Sequence, residues 1–243
     1  MKIVAIVQAR MGSSRLPRKV LKDLGGATVL DRVLNRLGRS WLIQESVVAT
    51  TIEPADDAIV EHCERTGRKV FRGSEQDVLD RYYQAAKYVN ADVVVRITSD
   101  CPVIDPEVTD GTIRAFLDRH SDYASNVLVR TYPRGLDTEV MTVQALERAW
   151  RESNKPHQRE HVTPYIYENP SEFKLHGIEN DTDCSRHRWT VDTPEDLELL
   201  RAIYERFGGR DDFGWREVLK LVESDPSLAE INRNIVQKAV HEG

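Results

Sequence analysis

Between residues 2 and 104 the sequence alternates short runs of Val and Ile with longer segments of helical period. This limits the fold more than any other feature, because it is the pattern of repeated βαβ units. Strands are expected at residues 3–7, 46–51, 69–72 and 93–98. Between the first two, Val29, Leu30, Val33, Leu34 and Leu37 share one helical face. Residues 56–66 have the same character and stop before Gly67, and a third helix is expected at 77–88. The strands are almost continuously apolar, so both faces of the sheet must be covered by helices, as in a doubly wound parallel sheet.

The second half loses this clean alternation. Shorter strands are expected at 138–141, 173–178 and 188–191, extending the same sheet, with helices at 143–151, 194–207, 215–222 and 228–240. Pro194 sits at a favourable first-turn position after Thr193. No internal repeat, low-complexity tract or flexible linker interrupts the chain. The expected class is therefore α/β: one domain over residues 1–243, with a Rossmann-like, mostly parallel sheet, helices on both faces and a small inserted lobe.

Composition narrows the function. With 40% hydrophobic and 30% charged residues the 243-residue chain is of globular type, neither disordered nor fibrous. No apolar run approaches the roughly 18 residues needed to span a bilayer. The apolar start, Met1 to Val7, is short and lacks a small-residue cleavage pattern, so it reads as a buried strand rather than a leader. Cys63, Cys101 and Cys184 are too few and too scattered for a disulfide framework or a CxxC metal site, which fits a reducing cytoplasm. A net charge of -6 argues against a general nucleic-acid binder. Any anionic ligand must then be met by a local basic site.

Such a site follows the first strand. In an open parallel sheet, ligands bind beyond the carboxyl ends of the strands. The segment Gln8-Ala-Arg-Met-Gly-Ser-Ser-Arg-Leu-Pro-Arg-Lys19 lies there and brings Arg10, Arg15, Arg18 and Lys19, with no acidic residue before Asp23. Gly12 allows close backbone approach, and Ser13 and Ser14 offer hydroxyls with little bulk. The pattern is neither GxGxxG nor the Walker GxxxxGK[ST]. A solvated basic turn is the competing reading, and the position after a buried strand favours a polyphosphate cradle.

Two aspartates extend this picture. Asp100 follows Arg96-Ile-Thr-Ser and Asp192 follows Arg188-Trp-Thr-Val, so both end expected strands on the same edge as the basic loop. Nucleotidyl transfer needs its charge neutralised, commonly by Mg2+ held by one or two carboxylates plus the phosphates. Asp192-Thr-Pro-Glu-Asp also reads as a helix start.

The opening IVQARMGSSRLPRKVL resembles that of the CTP-dependent cytidylyltransferases that activate acidic sugars, the CMP-Kdo and CMP-acylneuraminate synthetases. It is closer still to their relatives called spore coat polysaccharide biosynthesis protein F. The strings FRGSEQDVLDRYYQAA, RITSDCPVIDPEV, YPRGLDTEVMT, REHVTPYIYENP and RWTVDTPEDLELLR carry the resemblance along nearly the whole chain. It implies a fold of nucleotide-diphospho-sugar transferase type and an enzyme that moves CMP from CTP to a small acidic sugar or sugar-acid phosphate. Pyrophosphate would be released, in the service of cell-surface polysaccharide or glycan synthesis.

By the same resemblance Arg10, Gly12, Ser13, Arg15 and Lys19 bind the triphosphate and Asp100 and Asp192 bind Mg2+. Ala9, Thr50, Thr51 and Gly73, at strand ends, would line the nucleotide pocket. Arg81 aligns with an arginine of the Kdo enzymes, although an ion pair with Asp77 competes for it. Thr98 stands where the Kdo branch carries glutamine. The acceptor wall is expected in Tyr132-Pro-Arg-Gly-Leu-Asp-Thr-Glu139, with Arg134 for an anionic group and Asp137 and Glu139 for hydroxyls. Arg186 and Arg188 would reinforce it.

His157 and His161 stand four apart but lack a third zinc ligand, so a helix-surface or subunit-contact role is expected. Trp150, Tyr165 and Tyr167 read as packing residues. Relatives are commonly homodimers, and the contact is expected around residues 159–170. The main competing class, a GT-A glycosyltransferase, needs a DxD-type signature, and Ser99-Asp100-Cys101 supplies one acid. A catalytically idle nucleotide-binding subunit would not be expected to keep Lys19, Asp100 and Asp192 together.

Overall fold

Along the first strand Ile3, Ala5 and Val7 join one buried cluster while Val4 and Ile6 join another. That is the two-residue period of a strand with helices on both faces. The structure is a computed structural model, and it describes residues 1–237. Its seven strands are β1 Ile3–Gln8, β2 Glu45–Thr51, β3 Lys69–Gly73, β4 Val93–Thr98, β5 Tyr123–Ser125, β6 Glu139–Thr142 and β7 Leu175–Gly177. They form one sheet in the order β3-β2-β1-β4-β6-β5-β7. The first four strands pair in parallel, β6 runs antiparallel to both β4 and β5, and β7 is parallel to β5.

Helices α1 Val29–Leu37, α2 Asp57–Arg65 and α4 Pro106–Asp118 cover one face. Helices α3 Val78–Tyr88 and α5 Val143–Glu152 cover the other, joined by a small lobe of α6 Pro156–His161 and α7 Pro164–Tyr167. Trp150 seats this lobe side by stacking on Tyr83, centroids 4.4 Å apart, and donating its indole N–H to Asp80 at 2.8 Å. Tyr165 and Tyr167 pack against Phe173 and Tyr123. A third cluster gathers α8 Pro194–Arg206, α9 Trp215–Ser224 and α10 Pro226–Ile231 around Trp189, Tyr204 and Phe213. Arg36, fully buried in α1, ties that cluster to the sheet by donating to the carbonyls of Ile104, Asp211 and Phe213.

The α/β class, the four N-terminal strands and the helices at 56–66, 77–88, 143–151, 194–207 and 215–222 stand as the sequence reading placed them, within a residue or two. Three expectations are corrected. Residues 188–191 form no strand: Arg188 makes a single bridge to Arg134, and Val191 donates to the carbonyl of Asp100 at 2.8 Å. The strand at 173–178 shrinks to β7.

The helix at 228–240 starts earlier and stops at Ile231, because the Asn232 amide is drawn to the Arg188 carbonyl and to Asp196. Its end, 238–240, lies outside the described residues. Helix α4 was missed although Asp105 caps it through Glu107 and Val108 and Pro106 starts it. Three-residue β5 is too short for its period to be read.

Gly135 joins the halves at a backbone position only glycine fits. Its φ is +108°, and a Cβ there would lie 2.4 Å from the Trp189 carbonyl oxygen. Gly135→Ala is expected to destabilise the fold by about 2–3 kcal/mol or more. Chemical denaturation of the two proteins measures this, and equal midpoints would contradict it.

Candidate active site

The loop after β1 is shaped by contacts its own sequence does not reveal. Asp56, buried before α2, accepts from the Met11 amide at 2.6 Å and from the hydroxyl and amide of Thr51. The Arg18 amide closes the loop onto the Met11 carbonyl at 3.1 Å. Arg18 itself is left-handed, with φ 62°, an uncommon conformation for a residue with a Cβ, and it starts the single 3-10 turn Lys19–Leu21. Leu16 and Val20 anchor the turn in the core, so the side chain of Lys19 is directed over the sheet edge.

There Lys19 Nζ donates to Asp100 Oδ2 at 2.8 Å and to Asp192 Oδ1 at 2.7 Å. The other oxygen of Asp192 is met by Arg15 at 3.1 Å and Arg188 at 2.8 Å. Burial works against a charged Lys19, but Asp100 and Asp192 outweigh it and raise its pKa. Burial likewise opposes ionisation of Asp192, yet Lys19, Arg188 and Arg15 hold its pKa down at about 2. Arg188 is itself positioned by the fully buried Asp196, at 3.0 and 2.9 Å, and Asp196 forms the capping box of α8 with Thr193. The helix-start reading of Asp192 holds, since its amide donates to Asp196 in the turn that opens α8, and the same turn presents its carboxylate to Lys19.

A cleft of about 620 Å³ opens above this cluster at the carboxyl ends of β1 and β4. One wall is the basic loop with Arg10, Gly12, Ser13 and Arg15. The other wall comes from the opposite face of the sheet, where α3 supplies Val78 and Arg81 and α6 supplies Glu160 and His161. Ala9 and Thr98 lie between them. Arg81 is buried, donates to the Ser74 carbonyl, and leaves Asp77 to Arg159. Gly73 serves it: a Cβ there would come within 3.0 Å of Arg81 Cγ.

Several expected contacts lie elsewhere. Thr50 and Thr51 are fully buried and do not line the cleft; the Thr51 hydroxyl is spent on Asp56. Gly73 lines a shallower adjoining hollow. Glu139 is corrected from acceptor ligand to buried hub, because its oxygens are taken by Arg96, by Tyr123 at 2.6 Å and by Thr163 at 2.7 Å. Asp137 is held by a two-pronged pair with Arg130 at 2.7 and 2.8 Å. Arg186 points away to Glu223. Arg134 makes no ion pair with a carboxylate among the described residues; burial first, then Arg130 and Arg188, lower its pKa against the opposing pull of Asp137.

Glu75, Gln76, Glu160 and His161 also line the cleft, although no sequence motif marks the first three and the spacing of His157 and His161 predicts a surface position. Glu75 and Gln76 lie between β3 and α3, whereas Glu160 and His161 immediately precede a turn at Val162. Its φ of 75° and ψ of −55°, with the Thr163 amide donating to the His161 carbonyl at 2.9 Å, make a three-residue γ-turn. A β-branched residue is strained in that conformation, and no local sequence pattern announces it. His157 instead meets Glu168 at 2.8 Å on the outside of the lobe.

The donor set suits one kind of metal. Among the described residues no group of three or more side chains gathers as a protein-only metal cage. Two carboxylates converge beside the basic loop, which fits a hard cation completing its shell with further oxygen donors and water.

A basic loop and a paired-carboxylate edge on a mixed sheet of this order define a nucleotide-binding transferase. A family model described as cytidylyltransferase matches residues 4–217, and the chain belongs to that family as a CTP-dependent enzyme. It is 36% identical to the spore coat polysaccharide biosynthesis protein SpsF of Bacillus subtilis, over 93% of this chain and 96% of that protein. A solved cytidylyltransferase from Leptospira borgpetersenii superposes with TM-score 0.91 at 37% identity, covering 98% of this chain and all of that one. A CMP:2-keto-3-deoxy-manno-octonic acid synthetase complexed with CTP shares the fold, with TM-score 0.66 at 21% identity over 85% of this chain and 99% of that one. The glycosyltransferase alternative falls with the family assignment. No helix among the described residues is long and apolar enough to cross a membrane.

The depressed pKa of Asp192 carries a stability consequence. A carboxylate whose pKa is lower folded than unfolded stabilises the fold above the unfolded value, and that contribution disappears as pH falls through the folded one. Between about pH 4 and pH 2 the wild type should therefore lose about 2 kcal/mol that Asp192→Asn does not lose. Parallel pH–stability curves for the two proteins would refute this.

Proposed function

We propose that the protein transfers CMP from CTP to a small acidic sugar or sugar-acid phosphate and releases pyrophosphate. The observation that carries this reading is the convergence of Asp100 and Asp192 on Lys19 beneath a loop rich in arginine. Arg10, Arg15, Lys19 and the backbone of Gly12 and Ser13 suit the triphosphate, which spreads negative charge along the loop. The nucleoside then occupies the cleft against Ala9, Arg81 and Thr98.

Asp100 and Asp192 would hold Mg2+, which when bound supplies charge neutralisation at the phosphate undergoing attack. The chain's own residues orient the reactants: the loop fixes the phosphates, and the lobe wall with Glu160 and His161 limits how an acceptor approaches. Arg134, which makes no ion pair of its own among the described residues and lies within electrostatic reach of Arg130, Asp137 and Arg188, supports an acceptor that carries a carboxylate or phosphate. The name of SpsF supports a role in polysaccharide synthesis. We further propose a single domain acting in the cytoplasm as a homodimer with contacts around residues 159–170; sizing by light scattering tests the dimer.

Incubation with CTP, Mg2+ and a panel of acidic sugars and sugar-acid phosphates is expected to release pyrophosphate and form a CMP-linked product. Asp100→Asn should abolish turnover with its circular dichroism and melting temperature retained, and chelation of Mg2+ should stop the wild type. Activity surviving in Asp100→Asn would remove Asp100 from the reaction. For whichever acceptor is used, Arg134→Ala should raise its KM about tenfold or more while the KM for CTP changes little. A rise confined to CTP would place Arg134 on the nucleotide instead.

A further inference from the structure

The carboxylate pair is already occupied by a cation of the chain itself. Lys19 Nζ lies 2.8 Å from Asp100 Oδ2 and 2.7 Å from Asp192 Oδ1, between the two carboxylates. The remaining oxygen of Asp192 is engaged by Arg15 and Arg188. Three of the four carboxylate oxygens thus have cationic partners before any ligand arrives.

We propose that Lys19 is the resident counter-ion of the divalent-cation position, and that the position opens only when a nucleoside triphosphate draws Lys19 off the aspartates. This rests on the reading that Asp100 and Asp192 hold the metal. A lone Mg2+ would have to shed water and also displace an ammonium that makes two charge-assisted hydrogen bonds in a largely buried setting. The displaced ammonium would then need new partners.

A triphosphate supplies those partners. Lys19 and Arg15 belong to the loop that meets the phosphates, so both can exchange a carboxylate for a phosphate oxygen by turning their side chains. Arg188 behaves differently, because Asp196 and the loop at Asn232 hold it in place. It remains on Asp192 and keeps that carboxylate oriented while Lys19 leaves. Nucleotide and metal then bind with positive coupling, and by linkage each tightens the other by the same factor.

The test measures metal binding rather than turnover. Mn2+ is titrated into the full chain without nucleotide, with free Mn2+ counted by electron paramagnetic resonance. Lys19→Met and Lys19→Gln, which remove the charge with different head groups, are each expected to bind Mn2+ about tenfold more tightly than wild type. Adding Asp100→Asn to either should erase the gain. Affinity equal to or weaker than wild type in either folded variant overturns the proposal.

The metal reading is judged separately, on wild type with a CTP analogue methylene-bridged between the α- and β-phosphates. If Asp100→Asn leaves Mn2+ affinity of that complex unchanged, the aspartates are not the metal site. Tightening in the lysine variants that survives Asp100→Asn would also overturn the proposal, since the gained ion would then sit elsewhere.

Discussion

The ammonium of Lys19 between the carboxylates of Asp100 and Asp192 is the contact on which the arrangement of the site depends. It joins residues 81 and 173 positions apart along the chain: the loop after β1, the end of β4 and the turn before α8. Ion pairs in partly buried settings repay much of their attraction as lost hydration, so this cluster is better understood as fixing geometry than as a source of net stability. What it secures is a single point at the sheet edge where two carboxylates and the basic loop meet. The surrounding cations keep Asp192 ionised far below neutral pH, so its charge is available throughout the physiological range.

That point is held by a second layer of buried polar groups. Asp56 ties the loop to the end of β2, and Asp196 orients both Arg188 and the backbone of Asp192. On the opposite wall Glu139 gathers Arg96, Tyr123 and Thr163, and Thr163 immediately follows the strained turn that presents His161. Arg96 also reaches Gln8 at 3.3 Å, so this network underlies both walls of the cleft. The two left-handed residues beside the site, Arg18 and Val162, flank the side chains aimed into it. Such conformations persist only where surrounding contacts over-determine them.

The uneven legibility of the site has a common cause. Lys19 and Asp100 could be found because they follow β1 and β4, whose period is local, and the carboxyl edge of a parallel sheet brings them together; Asp192 joins them through the Val191 amide on the Asp100 carbonyl, not through a strand of its own. Glu139 was misread because a carboxylate at the edge of an acceptor-like string looks the same whether it faces solvent or Arg96. Thr50 and Thr51 were misplaced for a similar reason: a strand end can present its side chains to a cleft or to the layer behind it. Helical spacing places His161 on a surface, and its position in the cleft lining depends on how α6 and the following γ-turn, tied to β6 through Thr163 and Glu139, pack on the sheet.

The sequence by itself determined the α/β class, the four parallel strands, the basic loop and the two aspartates, since hydrophobic period and charge clustering are properties of short stretches of chain. Only the tertiary structure decided which polar groups became ligand-facing and which became buried supports. It also decided that residues 188–191 would bridge a loop instead of forming a strand, and that one lysine would close on both aspartates. These outcomes depend on partners distant in sequence and on the hydration each group surrenders on burial, and neither is encoded in a local pattern.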